Sequence, residues 1–362
     1  MTSTQTTRSL LRLLATRCSL LATASILALA QPFSPSAFSS ASAAPNPPVK
    51  LIFDTDMGND VDDALALALI HSLQNRGACE LLAVTLTHPS PDAGSYVAAV
   101  NTFYGRPGIP IGVTPDAPKA FPGSKFLRVA FNKDKDGSLL YPSDYDAAKA
   151  PRSVALLRRV LAAAGDGEII IVQVGFFTNL ARLLESGPDD ISPLSGRDLV
   201  RRKVKLLSIM AGKFPEDNAT NPEFNVRFDI PAARKLAAGW PGMTVWSGWE
   251  IGDAVRYPAW SINRDFSYVK AHPVQQAYQA FNPTPHERPC WDLTSVAFAV
   301  WPDRGYFSLS PEGVVEVSPD GRAQFTAKKG GRDHYIKINA SQAARLREAL
   351  AALASEPPKR GN

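Results

Sequence analysis

The sequence predicts an α/β fold in which an open, mainly parallel β-sheet carries helices on both faces. Apolar strand-like runs alternate with helical patterns over residues 49–247, and such alternation is typical of parallel βαβ units. The run Ile169-Ile170-Ile171-Val172 is apolar at every position, which indicates a strand buried on both faces. The 362 residues suffice for one large α/β unit. We therefore expect a Rossmann-like single domain with long loops over the carboxyl edge of the sheet.

Apolar periodicity and the intervening turn residues define the individual elements. The predicted strands cover residues 51–53, 81–86, 168–174, 204–210 and 244–247. The predicted helices cover residues 62–74, 95–103, 153–164, 179–185, 230–238, 273–281, 292–300 and 340–353. Pro319-Asp320-Gly321 predicts the turn of a hairpin before the last helix. Residues 115–151 are irregular and rich in proline and glycine, which fits a lid or binding loop and a solvated surface loop equally well.

An acidic turn between the first strand and the first helix is the most informative segment. Residues 54–63 contain five aspartates: Asp54, Asp56, Asp60, Asp62 and Asp63. Ligands of open α/β sheets bind outside the carboxyl ends of the strands, where this turn is predicted to lie. So many carboxylates repel one another unless protons or a cation neutralise them, and a hard cation such as Ca²⁺ or Mg²⁺ takes oxygen ligands of this type.

Two simpler interpretations of the acidic turn explain less of it. Asp62 and Asp63 in a first helical turn would interact well with the helix dipole, but this accounts for two of the five acids. An EF-hand loop requires Gly at its sixth position and Glu at its twelfth, where this chain has Asn59 and Leu65. A functional cation site is the interpretation that we prefer.

The acidic turn resembles the N-terminal signature of the inosine-uridine-preferring nucleoside hydrolase family, Asp-x-Asp-x-Gly-x-Asp-Asp-Ala. The segment Val174-Gly175-Phe176-Phe177-Thr178-Asn179-Leu180 resembles the Gly-x-x-Thr-Asn turn of that family. Met210-Ala211-Gly212 and Pro222-Glu223-Phe224-Asn225 resemble its central substrate loop. Trp291-Asp292 stands where a His-Asp pair is usual. The matching motifs follow the order of the family over residues 49–300.

This resemblance implies a Ca²⁺-dependent hydrolase that cleaves the N-glycosidic bond of ribonucleosides to ribose and free base. It implies that Asp56 is the catalytic base. The implied metal ligands are Asp56, Asp63, the Thr178 carbonyl and Asp292. The implied substrate-binding residues are Asp62, Asn218, Glu223, Asn225 and Trp291. The expected partner is therefore a small-molecule nucleoside.

The chain departs from the family pattern at two places that concern the chemistry. Asp60-Val61 adds two residues to the acidic turn, which leaves the ligand assignment open among Asp60, Asp62 and Asp63. Trp291 replaces a histidine that donates a proton to the leaving base. An indole can donate a hydrogen bond, but it cannot act as a general acid near neutral pH. His88, His286 and Glu287 are the alternative groups that the sequence offers.

Two other functions remain open at the level of sequence. One is a non-catalytic, Ca²⁺-stabilised nucleoside- or sugar-binding protein on the same fold, because a fold does not fix a function. The other is a haloacid-dehalogenase-type phosphatase with Asp54 as nucleophile. That family resembles this chain at Asp54 and Asp56 alone, and Gly58 stands where it has Thr or Val.

The first 43 residues are predicted to be a signal peptide, and residues 44–362 the catalytic domain. Arg8, Arg12 and Arg17 precede an apolar run at residues 20–30, and Ala41-Ser42-Ala43 offers a cleavage site, with cleavage after Ala30 as the alternative. The other interpretation is a disordered cytoplasmic tail. A signal peptide implies export to the periplasm or the cell exterior.

Charge and cysteine content argue against several partner classes. Without the three leader arginines the formal net charge falls from +5 to +2, and no Lys/Arg run with interleaved aromatic residues predicts nucleic-acid binding. The apolar run at residues 20–30 is too short for a stable membrane anchor. Cys79 and Cys290 could pair, but two cysteines are no disulfide framework. A homo-oligomer is compatible with the sequence.

Overall fold

A computed structural model describes residues 47–119, 121, 123–124, 126–215 and 221–359. Most of the β-structure belongs to one ten-stranded sheet. The strands are β1 Val49–Thr55, β2 Cys79–Leu86, β3 Ile111–Gly112, β4 Ile169–Gln173, β5 Val204–Met210, β6 Thr244–Ser247, β7 Arg256–Tyr257, β8 Arg288–Pro289, β9 Ser308–Leu309, β10 Gly313–Val317, β11 Ala323–Ala327 and β12 Asp333–Lys337. β7 and β8 form a separate two-stranded antiparallel ribbon.

Helices fill most of the connections between the strands. They are α1 Asp62–Asn75, α2 Pro91–Phe103, α3 Ser153–Ala163, α4 Thr178–Glu185, α5 Gly196–Lys203, α6 Phe224–Arg227, α7 Ile230–Gly239, α8 Trp249–Ala254, α9 Ala259–Arg264, α10 Pro273–Phe281, α11 Trp291–Val300 and α12 Ala340–Ala354, with a 3₁₀ helix at Phe126–Phe131. No helix among the described residues is both long enough and apolar enough to span a membrane.

The order of strands in the main sheet is β11-β10-β12-β6-β5-β4-β1-β2-β3, and β9 pairs with β12. The strands from β6 to β3 pair in parallel, whereas β10 pairs antiparallel with β11 and β12. The mainly parallel sheet is therefore confirmed. Because β1 lies between β4 and β2, its carboxyl end is flanked by two further strand ends.

Two apolar cores cover the two faces of this sheet. Successive residues of β1 alternate between them, because neighbouring side chains of a strand point to opposite faces. Leu51 and Phe53 pack in the core that includes α1, α2, α11 and α12, and Ile52 packs in the core that includes α3, α4, α5 and α7. The prediction of helices on both faces is confirmed.

The sequence missed elements with weak apolar periodicity. α5 was not predicted because charged side chains dominate its residues 196–203, and its buried apolar face consists of Leu199 and Val200. β12 was not predicted because polar residues interrupt it, yet it extends the parallel sheet beside β6. The hairpin of β10 and β11 is confirmed around Pro319-Asp320-Gly321. Cys79 and Cys290 are buried and free.

Candidate active site

The acidic turn lies at the carboxyl edge of the sheet, between the end of β1 and the start of α1. Within the turn Gly58 has a φ of 120°, a region that favours glycine. Beside it, a Cβ on Gly175 would lie 2.4 Å from the backbone nitrogen of Asp56. A side chain at Gly175 would therefore separate the chain that leaves β4 from the chain that leaves β1. These two glycines allow the acidic turn to pack directly over the strand ends.

Aspartates from α1 and α11 form a buried cluster at this edge. Carboxylate oxygens of Asp62, Asp63 and Asp292 lie within 4.8 Å of one another, and none of the three residues is more than 5% exposed. The Asp292 N–H donates to Asp62 Oδ2 at 3.2 Å, and the Thr55 hydroxyl donates to Asp63. Asp56 lines the same cavity, and its buried Oδ2 has no hydrogen-bond partner among the described residues.

The electrostatics of this acidic cluster (Asp56, Asp62, Asp63 and Asp292) fit a divalent cation. Burial raises the pKa of each carboxyl well above its usual value, and repulsion between the carboxylates adds to the shift. The donors are carboxylate oxygens, which Ca²⁺ and Mg²⁺ prefer. A cation would neutralise the repulsion and would supply a partner for the unpaired Asp56 oxygen.

A cavity of about 270 Å³ extends from the acidic cluster to an aromatic wall. The wall consists of Phe224, Trp249, Phe281 and Trp291. The cavity is thus lined both by oxygen ligands and by flat apolar rings. Such a cavity suits a ligand that has a hydroxylated part and a planar part.

The predicted substrate residues Glu223 and Asn225 both line this cavity. Glu223 accepts hydrogen bonds from the backbone N–H groups of Gly212 and Asn225, at 3.2 and 3.0 Å. Burial raises the pKa of Glu223 to about 7. The Asn225 amide donates to the carbonyls of Val174 and Met210, which fixes it against the ends of β4 and β5. Asn218 lies outside the described residues.

Thr178, the predicted carbonyl ligand, is the first residue of α4. Its hydroxyl donates to Asp229, and it is not among the described residues that line the cavity. The next residue, Asn179, donates to Asp54 at 2.7 Å. Asp54 is fully buried, also accepts from the Thr85 hydroxyl, and does not line the cavity. Asp54 is therefore a structural residue here and is badly placed for the nucleophile of a phosphatase.

Trp291 is the first residue of α11 and forms part of the aromatic wall, next to the ligand candidate Asp292. Its indole N–H donates to the Trp249 carbonyl at 2.9 Å. The two indole rings are tilted by 36°, with centroids 6.3 Å apart. The hydrogen bond fixes the orientation of the Trp291 ring and occupies its one polar hydrogen.

The three alternative proton donors make contacts with residues that do not line the cavity. His88 stacks on Phe121 with ring centroids 3.8 Å apart, and burial lowers its pKa to about 4. His286 stacks on Tyr278, and Glu287 pairs with Arg347. None of the three is among the described residues that line the cavity.

Sequence reasoning missed one charged pair at the cavity, Asp60 with Arg288. Arg288 Nε donates to Asp60 Oδ1 at 2.8 Å, and Nη2 donates to Oδ2. The two residues are 228 positions apart, so no local pattern marks the pair. Asp60 pairs with Arg288, whereas Asp62, Asp63 and Asp292 have carboxylate oxygens within 4.8 Å of one another.

Comparisons with known proteins agree with this architecture. The chain is similar to a plant nucleoside hydrolase, the PpNRh1 enzyme, at 21% identity and a TM-score of 0.63, over 84% of this chain and 100% of that one. It is also similar to an inosine-uridine preferring nucleoside hydrolase from Bacillus anthracis, at 18% identity and a TM-score of 0.61, over 84% of this chain and 99% of that one. A third similar structure is the type III effector XopQ complexed with adenosine diphosphate ribose, at 17% identity and a TM-score of 0.61, over 87% of this chain and 96% of that one. At these identities the similarity shows the fold alone.

Family membership comes from the sequence profile. No curated protein sequence matches the chain significantly. The profile of inosine-uridine preferring nucleoside hydrolases matches residues 51–346, which include the acidic turn and the Trp291-Asp292 pair. The chain therefore belongs to the family of inosine-uridine preferring nucleoside hydrolases, and it is an N-glycosidase by that membership.

Proposed function

We propose that this enzyme is a Ca²⁺-dependent hydrolase that cleaves ribonucleosides to ribose and free base. The observation that carries the proposal is the cavity that buried carboxylates and aromatic rings line together. A ribonucleoside has two parts that match these groups, a hydroxylated sugar and a flat base. The bound adenosine diphosphate ribose of the similar effector XopQ, another ribosyl compound, supports the choice of substrate class.

In this proposal Asp56, Asp63 and Asp292 hold the cation, and Thr178 adds its carbonyl. When bound, the cation lowers the pKa of a water molecule and orients the sugar. Asp56 takes the proton from the attacking water as general base. The buried Oδ2 of Asp56 has no hydrogen-bond partner among the described residues, so this carboxylate is available to the cation and to the water that shares it.

The sugar is held by Asp62, Glu223 and Asn225, which line the cavity near the acidic cluster. Asp62 is charged beside a cation and accepts hydrogen bonds from ribose hydroxyls. Asn225 uses its amide hydrogens on the protein backbone, so its side-chain oxygen is the atom available to the sugar. The sugar is thereby oriented while it acquires oxocarbenium character during bond cleavage.

Free ribose release tests the function directly. Purified enzyme is incubated with inosine, adenosine, uridine and cytidine, and ribose and base are quantified by chromatography. We expect equal amounts of ribose and free base from at least one nucleoside. Nucleoside binding without ribose release would instead indicate a non-catalytic binding protein, and phosphate release from a generic ester without ribose release would indicate a phosphatase.

Trp291→Ala should weaken nucleoside binding and leave the pH optimum unchanged. Stacking of a base on an aromatic ring contributes roughly 1–3 kcal/mol, so we expect the KM for inosine to rise by roughly 5- to 150-fold. The pH optimum stays because no titrating group is removed. The matched control is Trp260→Ala, since Trp260 is 46% exposed and lies outside the cavity. An unchanged KM in Trp291→Ala would show that the base binds elsewhere.

We further propose that residues 1–43 are removed during export and that the enzyme acts outside the cytoplasm. The support is the basic segment, apolar run and small-residue cleavage site of the leader. These residues lie outside the described part of the structure. N-terminal sequencing of exported protein should begin near Ala44. Exported protein that begins at Met1, or protein found in the cytoplasm alone, would contradict this.

A further inference from the structure

Cleavage of a nucleoside requires a group that stabilises the departing base, and the aromatic wall does not provide it. When the bond between C1′ and the base nitrogen breaks, both electrons leave with the base. Trp291 donates its one polar hydrogen to the Trp249 carbonyl. His88, His286 and Glu287 are not among the described residues that line the cavity. The charge that develops on the base therefore needs another partner.

Arg288 is the one cationic side chain among the described residues that line the cavity. Its guanidinium carbon lies 5.0 Å from the ring centroid of Phe281 and 5.2 Å from that of Trp291, and its charge also interacts with the carboxylate of Asp62. A base that stacks on the aromatic wall therefore lies beside this guanidinium. Its side chain is 28% exposed, so water screens its charge only in part.

Asp60 fixes the position of Arg288 and leaves part of it available. Two guanidinium nitrogens, Nε and Nη2, donate to Asp60, whereas Nη1 has no partner among the described residues. Burial alone would lower the pKa of Arg288, but the Asp60 hydrogen bond and charge raise it above its usual value. The guanidinium thus stays positively charged and cannot act as a proton donor.

The additional residues of the acidic turn account for this arrangement. Asp60 pairs with Arg288 of β8 and is not one of the three aspartates whose oxygens lie within 4.8 Å of one another. The Val61 N–H donates to Asp60 Oδ1 at 2.6 Å, which holds the carboxylate in place. Asp60 therefore holds the guanidinium of Arg288 beside Phe281 and Trp291.

We propose that Arg288 is a catalytic residue that stabilises the departing base as an anion, and that Asp60 is its positioning residue. The inference rests on the proposed nucleoside hydrolysis. The water oxygen forms the new bond to C1′, and Asp56 takes the water proton. The electron pair of the broken bond remains on the base, which Arg288 stabilises by charge and by a hydrogen bond from Nη1. The base then takes a proton from solvent, and Asp56 returns its proton to solvent.

The test compares two substrates that differ in leaving group. Inosine has a poor leaving group that needs stabilisation, whereas p-nitrophenyl riboside releases a stable phenolate. Loss of one preorganised donor to a developing anion costs about 10²–10³-fold in kcat. We therefore expect Arg288→Gln to lower kcat for inosine by about that factor and kcat for the nitrophenyl riboside by less than about tenfold.

Further variants distinguish the effects of the charge and position of Arg288 from an effect on folding. Arg288→Lys keeps the positive charge but lacks the planar guanidinium group. Its kcat for inosine should therefore lie between those of the wild type and Arg288→Gln. Asp60→Asn should reduce inosine cleavage selectively, and Asp60→Glu should restore part of it. The matched control is Arg304→Gln, because Arg304 also packs on an aromatic ring, 3.7 Å from the Trp301 centroid, but lies outside the cavity.

The possible outcomes distinguish this inference from the proposed function. If Arg288→Gln lowers kcat equally for both substrates, Arg288 has a structural role. If kcat for inosine stays within about threefold of wild type, Arg288 is not a catalytic residue. Both results would overturn the inference while wild-type ribose release still supports the proposed function. If wild-type enzyme cleaves neither riboside, the proposed function fails and the inference fails with it.

Discussion

Asp56→Asn should abolish nearly all ribose release while leaving the fold intact. Loss of a positioned general base costs about 10²–10⁴-fold, and the loss should lie at the upper end because Asp56 is also a proposed cation ligand. An amide cannot take the proton of the attacking water at neutral pH. The measurement is kcat/KM for inosine, together with the thermal unfolding temperature of the variant.

The fold should survive Asp56→Asn because the substitution removes a buried charge that burial and the neighbouring carboxylates already disfavour. The matched control is Asp303→Asn, since Asp303 is exposed and lies outside the cavity. Activity of Asp56→Asn within threefold of wild type would place the base on another residue. A strongly lowered unfolding temperature would indicate that the loss comes from misfolding.

Removal of the divalent cation should reduce ribose release by about as much as Asp56→Asn does, and it should also lower the stability of the folded enzyme. A ligand that binds only the folded state at 100 times its Kd stabilises that state by about 2.7 kcal/mol. We expect dialysis against chelator to abolish ribose release and to lower the unfolding temperature, and added Ca²⁺ to restore both. Mg²⁺ serves as the comparison for cation choice. Full activity in excess chelator would contradict a role for the cation.

The stability of the cation-free enzyme should fall as the pH rises. Buried carboxyls here have a higher pKa in the folded state than in the unfolded state, for example about 7 for Glu223. Their stabilising contribution is complete below the unfolded pKa of about 4 and is lost as the pH rises through the folded pKa. The unfolding temperature in chelator should therefore decrease between about pH 5 and pH 8. Saturating Ca²⁺ should reduce this slope, and a slope unchanged by Ca²⁺ would count against cation binding at the cluster.

The parts of the site that lie close together in the chain were predictable from sequence. The strand, acidic turn and helix over residues 49–75 are contiguous, and parallel pairing places the ends of β1, β4 and β5 at one edge. Asp292 lies 229 residues beyond Asp63, so its place in the cluster followed from the resemblance to a family and not from local pattern.

The pairing of Asp60 with Arg288 was beyond sequence reasoning for a physical reason. Arg288 lies in a short strand after an irregular segment, where neither helical nor strand periodicity indicates the direction of a side chain. The resemblance implied two added residues in the acidic turn, but the partner of Asp60 is fixed by tertiary packing. The same limit applies to Trp249, whose place in the aromatic wall depends on how α8 packs against α11.

We propose that the acidic cluster holds a cation that, together with Asp56, acts on a ribosyl substrate. In a high-resolution crystal structure of the enzyme with Ca²⁺ and a ribose analogue, we expect one cation in contact with Asp56, Asp63 and Asp292. We expect the sugar hydroxyls next to this cation and the base position against Trp291. A structure from calcium-containing buffer in which no cation touches Asp56 or Asp292 would refute cation binding at the cluster.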